Sequence, residues 1–144
     1  MKKILLILLL IMIMVGCTNK DKTNTINDEI KSEVSKLKAI INGNEYTINL
    51  EKNETVNKLI DMLPLEVTMN ELNGNEKYIY LDGTLPTNSS NPKKINAGDV
   101  MFYGDNCLVI FYKSFETPYS YTKIGHIDNL PNLGSGNITV KIEK

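Results

Sequence analysis

Aromatic, hydroxyl and basic side chains that could bind another molecule are concentrated in residues 108–127, LVIFYKSFETPYSYTKIGHI. The first four residues are large and apolar, which predicts a buried strand. Pro118 then indicates a loop or an edge strand, because proline cannot donate a ladder hydrogen bond. Rings that carry hydroxyl groups offer apolar contact area and a polar handle, as in a ligand or peptide groove. We therefore predict that ligand-binding residues lie here: Tyr112, Lys113, Phe115, Tyr119, Tyr121 and His126. The alternative is that these tyrosines only cover one end of the fold, with their hydroxyls in water.

Other chemistries have weaker support in the sequence. His126 is the single histidine, and the chain has neither paired histidines nor a CxxC motif, so no metal site and no cofactor are predicted. The alternative interpretation of His126 is a half-exposed strand residue. A Gly-x-Ser-x-Gly elbow is missing, and Gly134-Ser135-Gly136 is typical of a flexible turn rather than a phosphate-binding loop. No catalytic residue is predicted.

Residues 1–17 have the pattern of a lipoprotein signal peptide. Two lysines precede an apolar run from Ile4 to Val15, which has the length of a signal segment and is short for a membrane span. The run ends in Met14-Val15-Gly16-Cys17, which resembles the lipobox of bacterial lipoproteins. This resemblance implies a lipid on Cys17 and a protein held on the extracytoplasmic face of the cell membrane. The alternatives are an ordinary cleaved signal peptide or an uncleaved anchor.

Residues 18–35 are polar and have no aromatic side chain, so they are predicted to form a flexible tether. The chain has 16 basic residues, all of them lysine, and 17 acidic residues; without the two lysines of the signal segment the balance is 14 to 17. This charge excludes nucleic acid as a predicted partner and gives no polybasic membrane patch. Cys107 lies in an apolar run and is predicted to be a buried apolar residue, with a reactive thiol as the alternative.

The start of the remaining chain, residues 36–144, predicts a hairpin followed by a helix. Two apolar runs, 36–41 and 45–50, flank Asn42-Gly43, which supplies the positive φ angles of a type I′ turn. Residues 54–63 carry apolar side chains at helical spacing, after a capping Asn53 and before Pro64.

The later residues predict short strands and one long loop. The strands are expected at 65–69, 77–81, 99–103, 107–112, 121–127 and 138–142. A loop rich in Pro, Asn and Ser fills residues 83–96 and is a candidate functional element. About eight strands with one or two capping helices predict a mainly β fold, a closed or nearly closed antiparallel barrel.

Three segments in this order are similar to the small bacterial cyclophilin-like domains: ELNGNEKYIYLDGTLPT, INAGDVMFYGDNCLVIFYKSF and YSYTKIGHI. The similarity covers about residues 37–143. It implies a cyclophilin-like β-barrel capped by a helix, and for this branch of the family it implies no established activity. It also places the turn at Asn73 beside the aromatic segment, which adds Asn73 to the predicted ligand-binding residues.

Cyclophilin isomerases weaken the X–Pro amide with an arginine in a Phe-His-Arg run near a Gln-Gly-Gly-Asp turn. Neither run occurs in this chain, which leaves only Lys113 or Lys123 as substitutes for the arginine. We therefore predict a membrane-anchored lipoprotein whose barrel binds a peptide or small molecule without catalysis. The alternatives are a peptidyl-prolyl isomerase of envelope or secreted proteins and a structural spacer of the envelope. The oligomeric state stays open.

Overall fold

The computed structural model describes residues 34–144. The predicted signal peptide, the lipidation of Cys17 and nearly all of the predicted tether therefore lie outside the described residues. Within residues 34–144, no helix has the length and hydropathy of a membrane span.

The described chain folds into a closed antiparallel barrel of eight strands, which confirms the predicted fold class. The order around the barrel is β1-β10-β3-β4-β7-β6-β9-β2, and β5 pairs with β8 in a separate two-stranded sheet. Counting around the barrel in either direction, β7 lies four strands from β1, so the two strands form opposite walls. The elements are β1 (Lys36–Ile41), β2 (Asn44–Leu50), α1 (Glu54–Asp61), β3 (Leu65–Leu72), β4 (Glu76–Tyr80), β5 (Lys94–Ile95), β6 (Asp99–Tyr103), β7 (Cys107–Phe111), β8 (Phe115–Glu116), β9 (Thr122–Ile127) and β10 (Ile138–Glu143).

The first hairpin and the helix form where the local sequence predicts them. Asn42 and Gly43 have φ angles of 47° and 83°, as a type I′ turn requires, and Ile41 pairs with Asn44 across the turn. At the start of α1, the side chain of Asn53 accepts a hydrogen bond of 2.9 Å from the backbone N–H of Val56. The helix ends at Asp61, two residues earlier than predicted, and it is the single helix of the described residues.

Strand β7 is buried on both faces, as its uninterrupted apolar sequence predicts. Leu108 and Ile110 point into the barrel and belong to the main core. Val109 and Phe111 point outward into a second core on the outer wall. The members of this outer core are Ile95, Met101, Cys107, Val109, Phe111 and Tyr121, with Tyr78 and Phe115 packed against them.

The predicted 83–96 loop and the segment that follows β7 cover the outer core, and each contains a short strand. The end of the predicted 83–96 loop forms β5, which pairs with β8 in the aromatic segment. Ser90 and Tyr121 exchange backbone hydrogen bonds of 3.0 Å in both directions. The loop is therefore tied to the segment that follows β7, and together they build a raised rim on the outer wall.

Candidate functional site

A concave groove lies on the outer wall of the barrel, with a volume of about 350 Å³. Five of the seven tyrosines of the chain line it. We call it the aromatic groove, and its lining residues are Leu72, Asn73, Glu76, Tyr78, Tyr80, Tyr103, Cys107, Val109, Phe115, Tyr119 and Tyr121. Its volume is at the lower end of the range of small-molecule sites.

Strand alternation builds the floor of the aromatic groove. Every second residue of β4 faces outward, so Glu76, Tyr78 and Tyr80 share one face. Tyr78 pairs with Val109 and Tyr80 pairs with Cys107, which places β7 beside them on the floor. The rim segment then adds rings from above the floor.

The rings of the aromatic groove meet mostly edge to face. Tyr103 has its ring centroid 6.1 Å from that of Tyr119, at an interplanar angle of 80°, and 5.7 Å from that of Tyr121, at 53°. Tyr78 and Tyr80 are 6.0 Å apart at 81°. Tyr80 and Tyr119 remain 61% and 57% exposed. Inclined rings with this much free surface can contact a ligand from more than one direction.

Glu76 supplies the only formal charge among the described residues that line the aromatic groove. Burial raises the pKa of its carboxyl group to about 6, and repulsion from the carboxylate of Glu71 adds to the rise. Near neutral pH the groove therefore carries a negative charge in a poorly hydrated position.

Cys107 is buried, as the sequence predicts. Burial raises the pKa of its thiol to about 11, the charge of Glu76 raises it further, and a hydrogen bond with Tyr80 acts in the opposite direction. The thiol is therefore protonated at neutral pH, which removes the nucleophilic form from the groove.

Four of the seven predicted ligand-binding residues line the aromatic groove: Asn73, Phe115, Tyr119 and Tyr121. The other three, Tyr112, Lys113 and His126, are not among its lining residues. The structure thus divides the predicted set into four residues that line the groove and three that do not.

Tyr112 belongs to the main core rather than to the groove. Its hydroxyl donates a hydrogen bond of 2.7 Å to Oε1 of Glu71. Burial raises the pKa of Tyr112 to about 12, and the hydrogen bond and charge of Glu71 raise it as well. Lys113 is exposed, and its Nζ lies 5.8 Å from the centroid of the Tyr112 ring.

His126 lies on β9, where its Nδ1 is 3.0 Å from Oδ1 of Asp99 and its Nε2 is 3.7 Å from Oδ1 of Asp128. Its side chain is 39% exposed, which agrees with the alternative interpretation of a half-exposed strand residue. Among residues 34–144, no group of three or more His, Cys, Asp or Glu side chains could hold a metal ion.

A buried lysine is the main polar feature that the sequence does not predict. The side chain of Lys77 is fully buried and forms an ion pair with Glu71. It also donates hydrogen bonds of 2.6 Å and 2.5 Å to the backbone oxygens of Gly134 and Gly136. Burial alone would raise the pKa of Glu71, but hydrogen bonds from Lys77 and Tyr112 outweigh it and hold that pKa below its usual value. This network fastens the loop before β10 to the barrel.

A second depression, of about 710 Å³, lies along the β1–β2 hairpin, and most of its lining residues are charged. It contains one ring, Tyr46, and its Lys38 already lies 3.9 Å from Glu45. With one ring and five charged side chains among its lining residues, it offers less apolar contact to a ligand than the aromatic groove does.

Comparison with known proteins gives one family and one solved structure. The model of a family described as the cyclophilin-like family matches residues 39–143. The solution structure of a hypothetical protein from Archaeoglobus fulgidus is similar at 21% sequence identity and a TM-score of 0.48, over 76% of this chain and 93% of that chain. No curated protein has significant sequence similarity to the chain.

Proposed function

This chain belongs to the cyclophilin-like family, and from that premise we propose that it is a non-catalytic binding module. It holds a peptide or a small molecule in the aromatic groove, and a lipid on Cys17 anchors it to the extracytoplasmic face of a membrane. The observation that carries the binding function is the convergence of five tyrosines on one groove of the outer wall. Tyrosine gives a large contact area and a hydrogen-bonding hydroxyl with few rotatable bonds, which suits recognition.

The groove chemistry favours binding over proline isomerisation. Rotation about an X–Pro bond has a barrier of about 18–20 kcal/mol, and a cationic donor aimed at the amide is the usual means of lowering it. The chain has no arginine, and no lysine lines the aromatic groove among the described residues. Lys113 lies over the ring of Tyr112, and Lys123 is an exposed residue of β9. Neither substitute is therefore placed to act on a ligand in the groove.

The anchoring function depends on the sequence of residues 1–17. A polar stretch of 18 residues follows the predicted lipidation site and would separate the barrel from the membrane. Metabolic labelling with an alkyne fatty acid tests this: label on the wild-type protein and none on Cys17→Ser is expected. Labelling of both proteins, or of neither, would contradict the anchor while leaving the groove untouched.

The binding function is tested on the full-length chain in a maltoside detergent. A library of small molecules and short peptides is screened by ligand-observed NMR against the wild type, Tyr119→Ala and the control Tyr46→Ala. Tyr119 is largely exposed, so its substitution should leave the fold intact, which a circular dichroism spectrum verifies. Ligands of the groove should weaken with Tyr119→Ala alone.

Two results would overturn the proposed function. Ligands that bind Tyr119→Ala and the wild type equally would mean that the site lies elsewhere. Saturable acceleration of proline-peptide isomerisation by the wild type, lost in the Tyr119→Ala variant, would make the groove catalytic. A rate equal to that of the buffer is the expected result.

A further inference from the structure

We propose that the aromatic groove selects a small organic cation with an alkylated ammonium group, which is bound among the tyrosine rings and balanced by the carboxylate of Glu76. This inference rests on the proposed function, because it names the class of ligand for the same groove.

The charge of the groove favours a positive ligand. Glu76 is its one charged side chain, and no lysine balances it among the described lining residues. A neutral ligand that covered the groove would remove water from this carboxylate without an attraction that compensates for the lost hydration. A cationic ligand would replace the lost hydration with a direct attraction, so the same covering step becomes favourable.

The rings provide the second half of a cation site. An ammonium group is attracted to an aromatic face when it lies within about 6 Å of the ring centre. Tyr103 meets Tyr119 and Tyr121 at steep angles, and Tyr78 meets Tyr80 in the same way, so the rings form walls of different orientation. The exposed faces of Tyr80, Tyr103 and Tyr119 are available to a ligand. Methyl groups on the ammonium would fill the apolar space between the walls.

The surroundings of Glu76 disfavour the charge of this carboxylate. Its charge interacts with that of Glu71 on β3 and with the titratable groups of Cys107 on β7 and Tyr121 on the rim. Glu71 repels it, and the thiol and phenol are neutral near pH 7. Burial and this repulsion raise the pKa of Glu76 to about 6. A bound cation would lower that pKa, and by linkage the cation binds the deprotonated groove more tightly.

The test compares choline with its neutral isostere 3,3-dimethylbutan-1-ol on the full-length chain at pH 7.5. A maltoside detergent is used because it carries no ammonium group. Affinities are measured by protein-observed NMR titration. Choline should bind at least about tenfold more tightly than the isostere, which is the size of a desolvated cation–π contact.

Two variants and one control locate the site. Tyr119→Leu and Glu76→Gln should each weaken choline binding by about tenfold. Glu116→Gln removes the same charge from an exposed position of β8 outside the groove, and should leave the affinity unchanged. Choline stays charged at all pH values, so its affinity should fall as the pH drops from 7.5 to 5 and Glu76 becomes protonated. In Glu76→Gln this pH dependence should vanish.

The outcomes separate the cation inference from the proposed function. Equal binding of choline and the isostere, both lost in Tyr119→Leu, would overturn the cation inference and keep the groove as a binding site. Choline binding that survives both variants would overturn the inference because the cation then sits elsewhere. No choline binding at millimolar concentration would also overturn it, and the library screen would still decide independently whether the groove binds a ligand.

Discussion

Replacing Glu76 by glutamine should stabilise the protein at neutral pH. The carboxylate of Glu76 is partly buried on the outer wall and is repelled by Glu71, so the folded state holds it in an unfavourable place. Glutamine has nearly the same shape and carries no charge. The variant should therefore retain the packing of the groove and lose the electrostatic cost.

The magnitude follows from the pKa of Glu76. A rise from the ordinary value of 4.5 to about 6 corresponds to at most about 2 kcal/mol, since each tenfold change in proton affinity corresponds to about 1.4 kcal/mol. Solvent screening of this partly exposed carboxylate lowers the expected figure to about 1–2 kcal/mol. The sign is fixed by proton binding. Between pH 4.5 and 6 the folded state holds more protons than the unfolded state, so the free energy of unfolding falls as the pH rises through this range. Above pH 6 the full cost is present, and below pH 4.5 it disappears.

Urea unfolding followed by far-ultraviolet circular dichroism measures this effect on the full-length chain. Glu76→Gln should raise the free energy of unfolding by about 1–2 kcal/mol at pH 7.5 and by much less at pH 4. Glu116→Gln is the matched control, and a substitution at its exposed position should stay within about 0.5 kcal/mol of the wild type at both pH values. Equal slopes of unfolding against urea would show that the variants share one unfolded state.

Two results would refute the reasoning. A gain at pH 7.5 that persists unchanged at pH 4 would come from packing rather than from charge. No gain at pH 7.5 would mean that water or a neighbouring donor already satisfies the carboxylate in the folded protein.

Three further predictions concern the fold and the thiol. Lys77→Met should destabilise the protein by about 3 kcal/mol or more in urea unfolding, because it removes the cation that pairs with Glu71 and the donor to two backbone oxygens. Exposed Lys94→Met should change the stability little. Gly98→Ala should lower the free energy of unfolding by about 2–4 kcal/mol, because Gly98 has a φ of 99° and a Cβ there would collide with a backbone oxygen of β9. The control Gly83→Ala has a φ of 85° and open space around the new Cβ, so it should lower that free energy by only about 1–2 kcal/mol. Equal losses in the two variants would contradict the collision. Cys107 should react slowly with iodoacetamide at pH 8, because a pKa of about 11 leaves roughly one thiol in a thousand as thiolate. Mass spectrometry after digestion measures the modification, and rapid modification of Cys107 would contradict this prediction.

Local patterns account for the parts of the fold that the sequence predicts correctly. The Asn42-Gly43 turn, the capped helix and the two-sided burial of β7 each depend on neighbouring residues. The eightfold closure follows from the number of short strands and from the resemblance of three segments to the cyclophilin-like family. The turn, the helix and the burial of β7 have their causes within about ten residues of chain, whereas the closure depends on the whole series of strands.

The candidate site is less predictable because strand pairing assembles it. Alternation from Leu108 carries Tyr112 into the barrel, so Tyr112 cannot share the face of Phe115, although the two are close in sequence. Tyr80 and Tyr103 line the groove because β4 and β6 are the two neighbours of β7, which the sequence does not specify. The alternation of tyrosines in β4 was visible in the sequence, but its partner strands were not.

Lys77 illustrates the same limit for polar groups. A lysine in a strand is ordinarily exposed, and the two glycine oxygens that receive its hydrogen bonds lie 57 and 59 residues further along the chain. No short sequence motif predicts a contact between residues so far apart in the chain.

The position of β7 on the wall opposite β1 determines how this protein can be presented to its surroundings. The described chain enters the barrel at Val34 and continues directly into β1, whereas Cys107 and Val109 of β7 form part of the groove floor. Anything attached ahead of Val34, whether a bilayer, a solid support or a fluorescent fusion, is therefore joined to the back of the molecule. The tyrosines look outward from such an attachment, so immobilisation through the amino-terminal side leaves them open to solution.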